Sequence, residues 1–440
     1  MKGVVIAGTG SGVGKTSIST GLMSKLSKSM RVQGFKVGPD FIDTMYHRSA
    51  TGRCSRNLDS FMMPKDVVKK VAVHGSKGAD ISIVEGVRGL YEGRSGKDDS
   101  GSTAELAKLL GFPVVLVVNA RSLTRSAAAI VKGFMSYDKE IDIAGVIINN
   151  ISGDQHENKL KDAMEEIGIN VLGMVRRDAD RAIPERHLGL SKDRSSDKNT
   201  LDSMERMVEE LDLDQLVEIC YGPETNDVDD LYVKRDTGLT AAVPVDDAFC
   251  FYYKENIECM MASGIKIKNF SPLNGDMLPD ADIYYLGGGY PELHLGTLSE
   301  NRDFFQGLRT ACEDNKVMIG ECGGMLTMCS SIVSEGMTYK AAGIFDAEAD
   351  VAGKRHGPSY VVAGSNGKCR LFDGTIKGHE FHYSTVRPGS GCEFGFDILR
   401  GGGIVGNKDG MICRNSIGTY MYQHALSTDD WIGRITEICE

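Results

Sequence analysis

The sequence predicts an α/β protein in two halves, the first a doubly wound parallel sheet built around a phosphate loop. Three observations carry this reading. Short β-branched runs alternate with amphipathic helical stretches over residues 1–221, the pattern of strand–helix–strand crossovers. A glycine-rich turn, Gly8-Thr9-Gly10-Ser11-Gly12-Val13-Gly14-Lys15-Thr16, follows directly on the apolar run 3–7. The alternation lapses in the polar, acidic stretch 222–237, which reads as a linker, and restarts over 238–440.

Taken in order, the strands expected in the first half are Val32–Val37, 81–84, 114–118, 143–148 and 170–174, with helices such as 126–135 and 157–167 between them. The second half begins with a strand at 240–245, a helix at 255–263 and strands at 265–270 and Ile283–Leu286. A helix at 302–314 and a strand at 316–319 follow. Beyond about residue 344 the chain turns rich in glycine and short strand-like segments, and the helical period fades.

Bulk properties narrow the function classes. A chain of 440 residues exceeds one ordinary domain. Its formal charge of −11 lacks the basic footprint of a nucleic-acid binder. The longest apolar run, about 113–118, has the length of a buried strand and not of a membrane span. The 11 cysteines are odd in number, scattered and without a Cys-x-x-Cys pair, which reads as free thiols in a reducing cytoplasm. Met1-Lys2-Gly3 runs straight into the first strand, leaving no room for a signal peptide. A cytoplasmic enzyme is expected, with a homodimer carried as an open expectation.

The turn at Gly8–Thr16 has the strand–loop–helix context of a nucleoside-triphosphate site, although Thr9 stands where the strict motif has its first glycine. Gly8, Thr9, Gly10, Gly12, Val13 and Gly14 would present backbone N–H groups to phosphate oxygens. Lys15 would neutralise the β/γ charge, and Thr16 would offer its hydroxyl to Mg²⁺. Ligands on such sheets gather at the carboxyl ends of strands. There stand Asp40 and Asp43, after the second strand, and Glu85 and Glu92, after the strand 81–84. Thr16, Asp43 and Glu85 are the candidate metal ligands, and Asp40 and Glu92 join them as candidates for phosphoryl chemistry. Arg88 and Arg94 could meet an anionic substrate. Asn119, Asn149 and Asn150 could read a nucleotide base or simply shape turns.

In the second half, the strand 316–319 runs into Gly320-Glu321-Cys322-Gly323-Gly324 and then a helical stretch. This sharp turn would lift Cys322 above the sheet as a nucleophile. The helix N-terminus would lower its thiol pKa, and the N–H of Gly323 would face an oxyanion. A second donor could come from Gly288 or Gly289. A thiol nucleophile needs a base, and His424, His379 and His382 are the candidates.

With these residues in view, the chain resembles the cobyrinate a,c-diamide synthase family over essentially its whole length. The resembling segments are 36–43, 55–60, 85–93, 247–253, 287–292, 320–324 and 378–384. The resemblance implies an ATP-dependent amidoligase, similar in fold to dethiobiotin synthetase, fused to a class I glutaminase domain. It implies Cys322 as glutaminase nucleophile and His424 as the histidine that activates it. Class I glutaminases carry a Glu two residues after that base, whereas Leu426 stands here, so the group orienting His424 is open between Glu380 and Glu321. The wording of 85–92 and 122–126 looks like the archaeal branch, associated with cobyrinate and with nickel sirohydrochlorin on the route to coenzyme F430. The expected substrates are therefore ATP, glutamine and an anionic tetrapyrrole, with Mg²⁺. A rival reading is a partitioning-type switch ATPase that binds protein partners, which would have no use for Cys322.

Overall fold

The computed structural model describes residues 1–177, 198–224, 231–351 and 356–439; part of the expected linker, 225–230, lies outside them. Two compact units form, Met1–Ser60 with Pro64–Leu231 and Phe61–Met63 with Tyr232–Glu440. None of the described helices is long and apolar enough to cross a membrane. All 11 cysteines are free thiols.

The first unit is a parallel sheet of seven strands: β1 (Gly3–Gly8), β2 (Val32–Val37), β3 (Arg56–Leu58), β4 (Ile81–Glu85), β5 (Val114–Asn119), β6 (Ile143–Ile151) and β7 (Val171–Arg176). Their order across the sheet is β3-β2-β4-β1-β5-β6-β7. Each residue of β1, β2 and β4 is buried. That explains why β1 and β4 read as largely continuous apolar runs and not as alternating ones, since helices cover both faces. Val4, Ile6, Val115 and Val117 pack against Ile18 and Leu22 of helix α1 (Lys15–Leu26) on one such face. Helix α2 (Phe41–Thr51) follows β2, and the side chain of Asp40 caps it by accepting from the N–H groups of Ile42 (2.8 Å) and Asp43 (3.1 Å).

The second unit starts as the sequence suggests. β8 (Thr240–Pro244), β9 (Lys266–Phe270), β10 (Ile283–Leu286) and β11 (Val317–Glu321) are parallel to one another, in the order β11-β10-β8-β9. The alternation then stops. After the short helix Gly323–Met328, β12 (Cys329–Ser334), β13 (Met337–Lys340), β14 (Phe345–Asp350) and β17 (Thr385–Pro388) make a separate four-stranded sheet. β15 (His356–Ser365), β16 (Thr375–His382), β18 (Glu393–Arg400), β19 (Lys408–Cys413), β20 (Ser416–Thr419) and β21 (Tyr422–Gln423) extend the main sheet to ten strands. Only β20 among these six runs parallel to its neighbour β11; the other pairings are antiparallel. The register Glu321↔Thr419 brings the chain that leaves β20 alongside the turn that leaves β11.

Candidate active sites

At the carboxyl edge of β1 the loop bends through left-handed conformations at Gly12 (φ 73°) and Gly14 (φ 100°). A Cβ on Gly14 would lie 2.4 Å from the Asn149 amide nitrogen, so glycine is required there on two counts. That amide donates to the carbonyl of Val13 (2.9 Å), and Asn150 donates to the Asn119 side chain (3.1 Å). Asn149 thus braces the loop instead of standing free to read a base. Lys15 curls back to the carbonyl of Gly10 (2.9 Å) and is buried. Burial, and then the neighbouring Lys36 charge, lowers its pKa to about 8.

Glu85 ends β4 instead of following it, and it is wholly buried. One carboxylate oxygen accepts from Thr16 Oγ1 (2.6 Å) and Lys36 Nζ (2.8 Å), the other from Ser19 Oγ (2.9 Å) and His47 Nε2 (2.7 Å). Lys36 also pairs with Asp43 at 2.8 Å. Burial opposes charge on both partners, but attraction wins. Lys36 is held protonated by Asp43 and Glu85, and the Glu85 carboxyl is held well below its usual range by Lys36 and His47. The expected metal ligands Thr16, Asp43 and Glu85 therefore sit in one cluster, knit by a lysine that the motif reading overlooked. The register Lys36↔Glu85 between β2 and β4 explains the pairing, and a charged residue inside a buried strand was its signal. His47, one helical turn after Asp43, is the other residue missed.

The remaining carboxylates stand at the edge of this cluster. Asp40 caps α2 while its charge acts on Lys36, and the exposed Glu92 accepts from the N–H of Gly89 (3.0 Å) while its charge acts on Lys15. Arg88, in a left-handed turn at φ 51°, and Arg94 are both exposed.

In the second unit Cys322 occupies the tip of the turn between β11 and the helix Gly323–Met328, with φ 46° and ψ −106°. A non-glycine residue held there costs on the order of 1–3 kcal/mol, and the surroundings fix it. Its N–H donates to Thr419 O (2.7 Å) and its carbonyl accepts from Leu326 (3.1 Å). A Cβ on Gly324 would meet the Leu286 carbonyl at 2.0 Å, so the elbow packs directly on the end of β10. The N–H of Gly323 is directed at the Cys322 sulfur. Gly287 donates to the Tyr252 hydroxyl (3.1 Å), and the Gly288 carbonyl accepts from Cys250 and Phe251 (2.9 Å each). Gly289 N lies 3.3 Å from where a Cβ of Gly323 would stand, so Gly288-Gly289 and Gly323 line the same small space.

One expectation changes here. The helix N-terminus does not give a low thiol pKa: burial dominates and pushes the Cys322 thiol up to about 12, the Tyr422 hydroxyl and the Gly323 N–H acting against it. His424 is not joined to the thiol by a hydrogen bond. Its Nδ1 accepts from the N–H of Leu426 (3.2 Å), and its Nε2 lies 3.7 Å from Glu255 Oε2. Burial lowers its pKa to about 4. The carboxylate beside it is thus Glu255. Glu321 is engaged by Tyr285 (2.9 Å) and the N–H of Gln423 (3.0 Å). Glu380 accepts from Ser359 (2.7 Å) and the N–H of Gly402 (2.7 Å). His379 Nδ1 meets the Tyr253 hydroxyl (2.7 Å), and His382 donates from Nδ1 to the Ser384 carbonyl (2.8 Å) while stacking on Tyr420. The thiol itself donates to the Phe381 carbonyl (3.8 Å), with the Tyr422 hydroxyl beside it.

Comparison with known proteins matches both halves. Residues 4–190 fit the CobQ/CobB/MinD/ParA nucleotide binding domain, and residues 240–430 fit the CobB/CobQ-like glutamine amidotransferase domain. The cobyrinate a,c-diamide synthase of Methanococcus maripaludis is 41% identical, with the whole of both chains covered. That of Methanocaldococcus jannaschii is 44% identical over 97% of each chain. This chain belongs to the cobyrinate a,c-diamide synthase family. A family member is a glutamine-hydrolysing ligase with an ATP-using domain, so the phosphate loop and the Cys322 elbow fall in the two domains expected to need them.

Proposed function

We propose that this chain amidates the a and c acetate carboxylates of cobyrinate at the expense of ATP, with ammonia drawn from glutamine. The observation that carries this reading is the pairing of a phosphate loop with a strained cysteine elbow in one chain, in a family whose relatives bear that name. In residues 1–221 the loop Gly8–Thr16 binds the triphosphate. A macrocycle carboxylate attacks the γ-phosphorus, ADP leaves, and an acyl phosphate forms; ammonia then displaces phosphate to give the amide. Lys15 offsets the charge on the transferring group, and the buried Lys36, engaged by Asp43 and Glu85, holds those two carboxylates in place. Asp40 shapes the loop through its cap on α2, and the exposed Glu92, Arg88 and Arg94 are placed to meet the approaching substrate.

A Mg²⁺ fits this cluster by chemistry, since Thr16, Asp43 and Glu85 are hard oxygen donors beside the loop. Among the described residues no three His, Cys, Asp or Glu converge tightly enough to hold a metal alone. Thr16, Asp43 and Glu85 would contribute to holding such an ion, which would supply positive charge to the phosphoryl oxygens. In residues 238–440 Cys322 attacks the glutamine amide carbon, giving a thioester, while Gly323 with Gly288 or Gly289 supports the oxyanion. A cytoplasmic location completes the proposal.

Nickel sirohydrochlorin is the second substrate in view, carried only by the resemblance to the archaeal branch. Incubation with Mg-ATP, glutamine and each tetrapyrrole separates them by product mass. The cobyrinate reading expects two amidations of cobyrinate; diamide from nickel sirohydrochlorin alone would replace it. A partitioning-type ATPase would consume ATP without any response to glutamine.

A further inference from the structure

We infer that His47 is a positioning residue for the metal side of the phosphate loop; this rests on the Mg-ATP reading of the first unit. Its Nε2–H holds one oxygen of Glu85, so that the other takes the Thr16 hydroxyl proton. The Thr16 lone pairs are then left free for a cation. The contacts form one chain. Thr16 Oγ1 donates to Glu85 Oε1 (2.6 Å), and His47 Nε2 lies 2.7 Å from Glu85 Oε2. On the far side of the ring, Nδ1 lies 3.1 Å from Ser55 Oγ, which donates to the Gly34 carbonyl (3.0 Å). The His47 and Glu85 side chains are both wholly buried.

Donor arithmetic singles out the histidine. A carboxylate only accepts, so Nε2 must be the donor to Glu85. Oε1 is served by Thr16 and by Lys36 Nζ (2.8 Å). Among the described residues Oε2 has one other donor, Ser19 Oγ (2.9 Å). That hydroxyl has a single proton, and it also faces the carbonyls of Lys15 (2.8 Å) and Thr16 (3.2 Å). His47 is thus the donor committed to Oε2. Without it the carboxylate can turn about its terminal torsion, which is intrinsically broad, and the Thr16 hydroxyl loses the fixed acceptor that aims it.

The fold makes room for this ring. Asp43 and His47 stand one turn apart on α2 and both meet the cluster, Asp43 at Lys36 (2.8 Å) and His47 at Glu85. A Cβ on Gly34 would lie 3.0 Å from the His47 Cβ and 3.4 Å from its Cγ, closer than packed carbons stand. Glycine inside the buried strand β2 therefore lets α2 bring the ring down to the end of β4. A glycine there weakens the strand, and the close approach of the histidine is what it provides.

The test is calorimetric binding of ADP to full-length wild type, His47→Gln, His47→Asn and His47→Phe, each with Mg²⁺ and with EDTA. The amide nitrogen of glutamine can take the place of Nε2, that of asparagine only the place of Nδ1, and phenylalanine keeps a ring without a donor. The Kd for ADP with Mg²⁺ is expected to rise at least about tenfold in His47→Asn and His47→Phe, and to stay within about threefold of wild type in His47→Gln. With EDTA all four proteins should agree within about threefold. An Asn variant that binds Mg-ADP like wild type, or a Gln variant that weakens as much as Asn, would overturn the inference. So would an equal loss with and without Mg²⁺, the mark of a packing role. Should the Phe variant fail to fold, the contrast between Asn and Gln decides alone. Wild type that binds ADP no better with Mg²⁺ than with EDTA would instead remove the Mg-ATP reading on which the inference stands.

Discussion

Replacing Cys322 by serine is expected to end glutamine-driven amidation, by at least about a thousandfold, while ammonium-driven amidation stays near the wild-type rate. The physical reason is the difference between sulfur and oxygen as nucleophiles in this pocket. The elbow fixes residue 322 at φ 46° whatever its side chain, so serine inherits the geometry. It does not inherit the polarisable sulfur, and a hydroxyl is harder still to ionise than a thiol that burial pushes up to about 12. No thioester forms at a useful rate, and no ammonia is released. The ligase chemistry needs only free ammonia at the acyl phosphate, which an ammonium salt at raised pH supplies. Rates with each nitrogen source check this, and a Cys322→Ser variant that hydrolyses ATP yet fails with both sources would discard the separable-ammonia mechanism.

Lys15→Ala is expected to lower synthesis at least about a hundredfold with either nitrogen source, while glutamine hydrolysis stays measurable. Lys15 is buried in the loop and folded onto the Gly10 carbonyl, a hydrogen bond it can exchange for phosphate oxygens. Truncation removes the one loop cation and leaves Lys36, which Asp43 and Glu85 already engage. A pH signature accompanies this. Burial and the Lys36 charge bring the free-enzyme Lys15 to about 8, so the ammonium is lost as pH rises through that value. Phosphate binding favours the charged form, and the apparent KM for ATP should therefore rise above about pH 8 in wild type and be flat there in Lys15→Ala. Loss of both activities in a folded Lys15→Ala protein would contradict the division of labour between the two units.

The phosphate loop and the cysteine elbow were legible because each is a contiguous piece of chain whose glycines answer to local backbone needs. Glu85 was legible for the same reason, standing at a strand end. Its partners were not, since Lys36 and His47 come from other elements and reach it only through the β2–β4 register and the face of α2. The second site shows the same limit more sharply. In Tyr420-Met421-Tyr422-Gln423-His424 a lone histidine draws the eye, but which of these side chains faces the thiol depends on pairing across β20, β21 and β16. Pairing of that kind is long-range and leaves no mark in spacing. The strands after β11 were indistinct for a related reason. They lie largely in antiparallel ladders whose exposed and buried residues alternate irregularly through bulges, as at His356–Ser359 and Val362–Ala363.

The central claim is that nitrogen cut from glutamine at Cys322 ends as amide on a tetrapyrrole in a reaction driven by ATP. Amide-labelled glutamine tests it in one experiment: the full chain is incubated with Mg-ATP and cobyrinate, and the product is analysed by mass and by fragmentation. The account predicts a labelled nitrogen at each of the a and c positions, dependent on ATP and absent when Cys322 is serine. Label recovered only as ammonia, with ATP consumed and the tetrapyrrole unchanged, would contradict it.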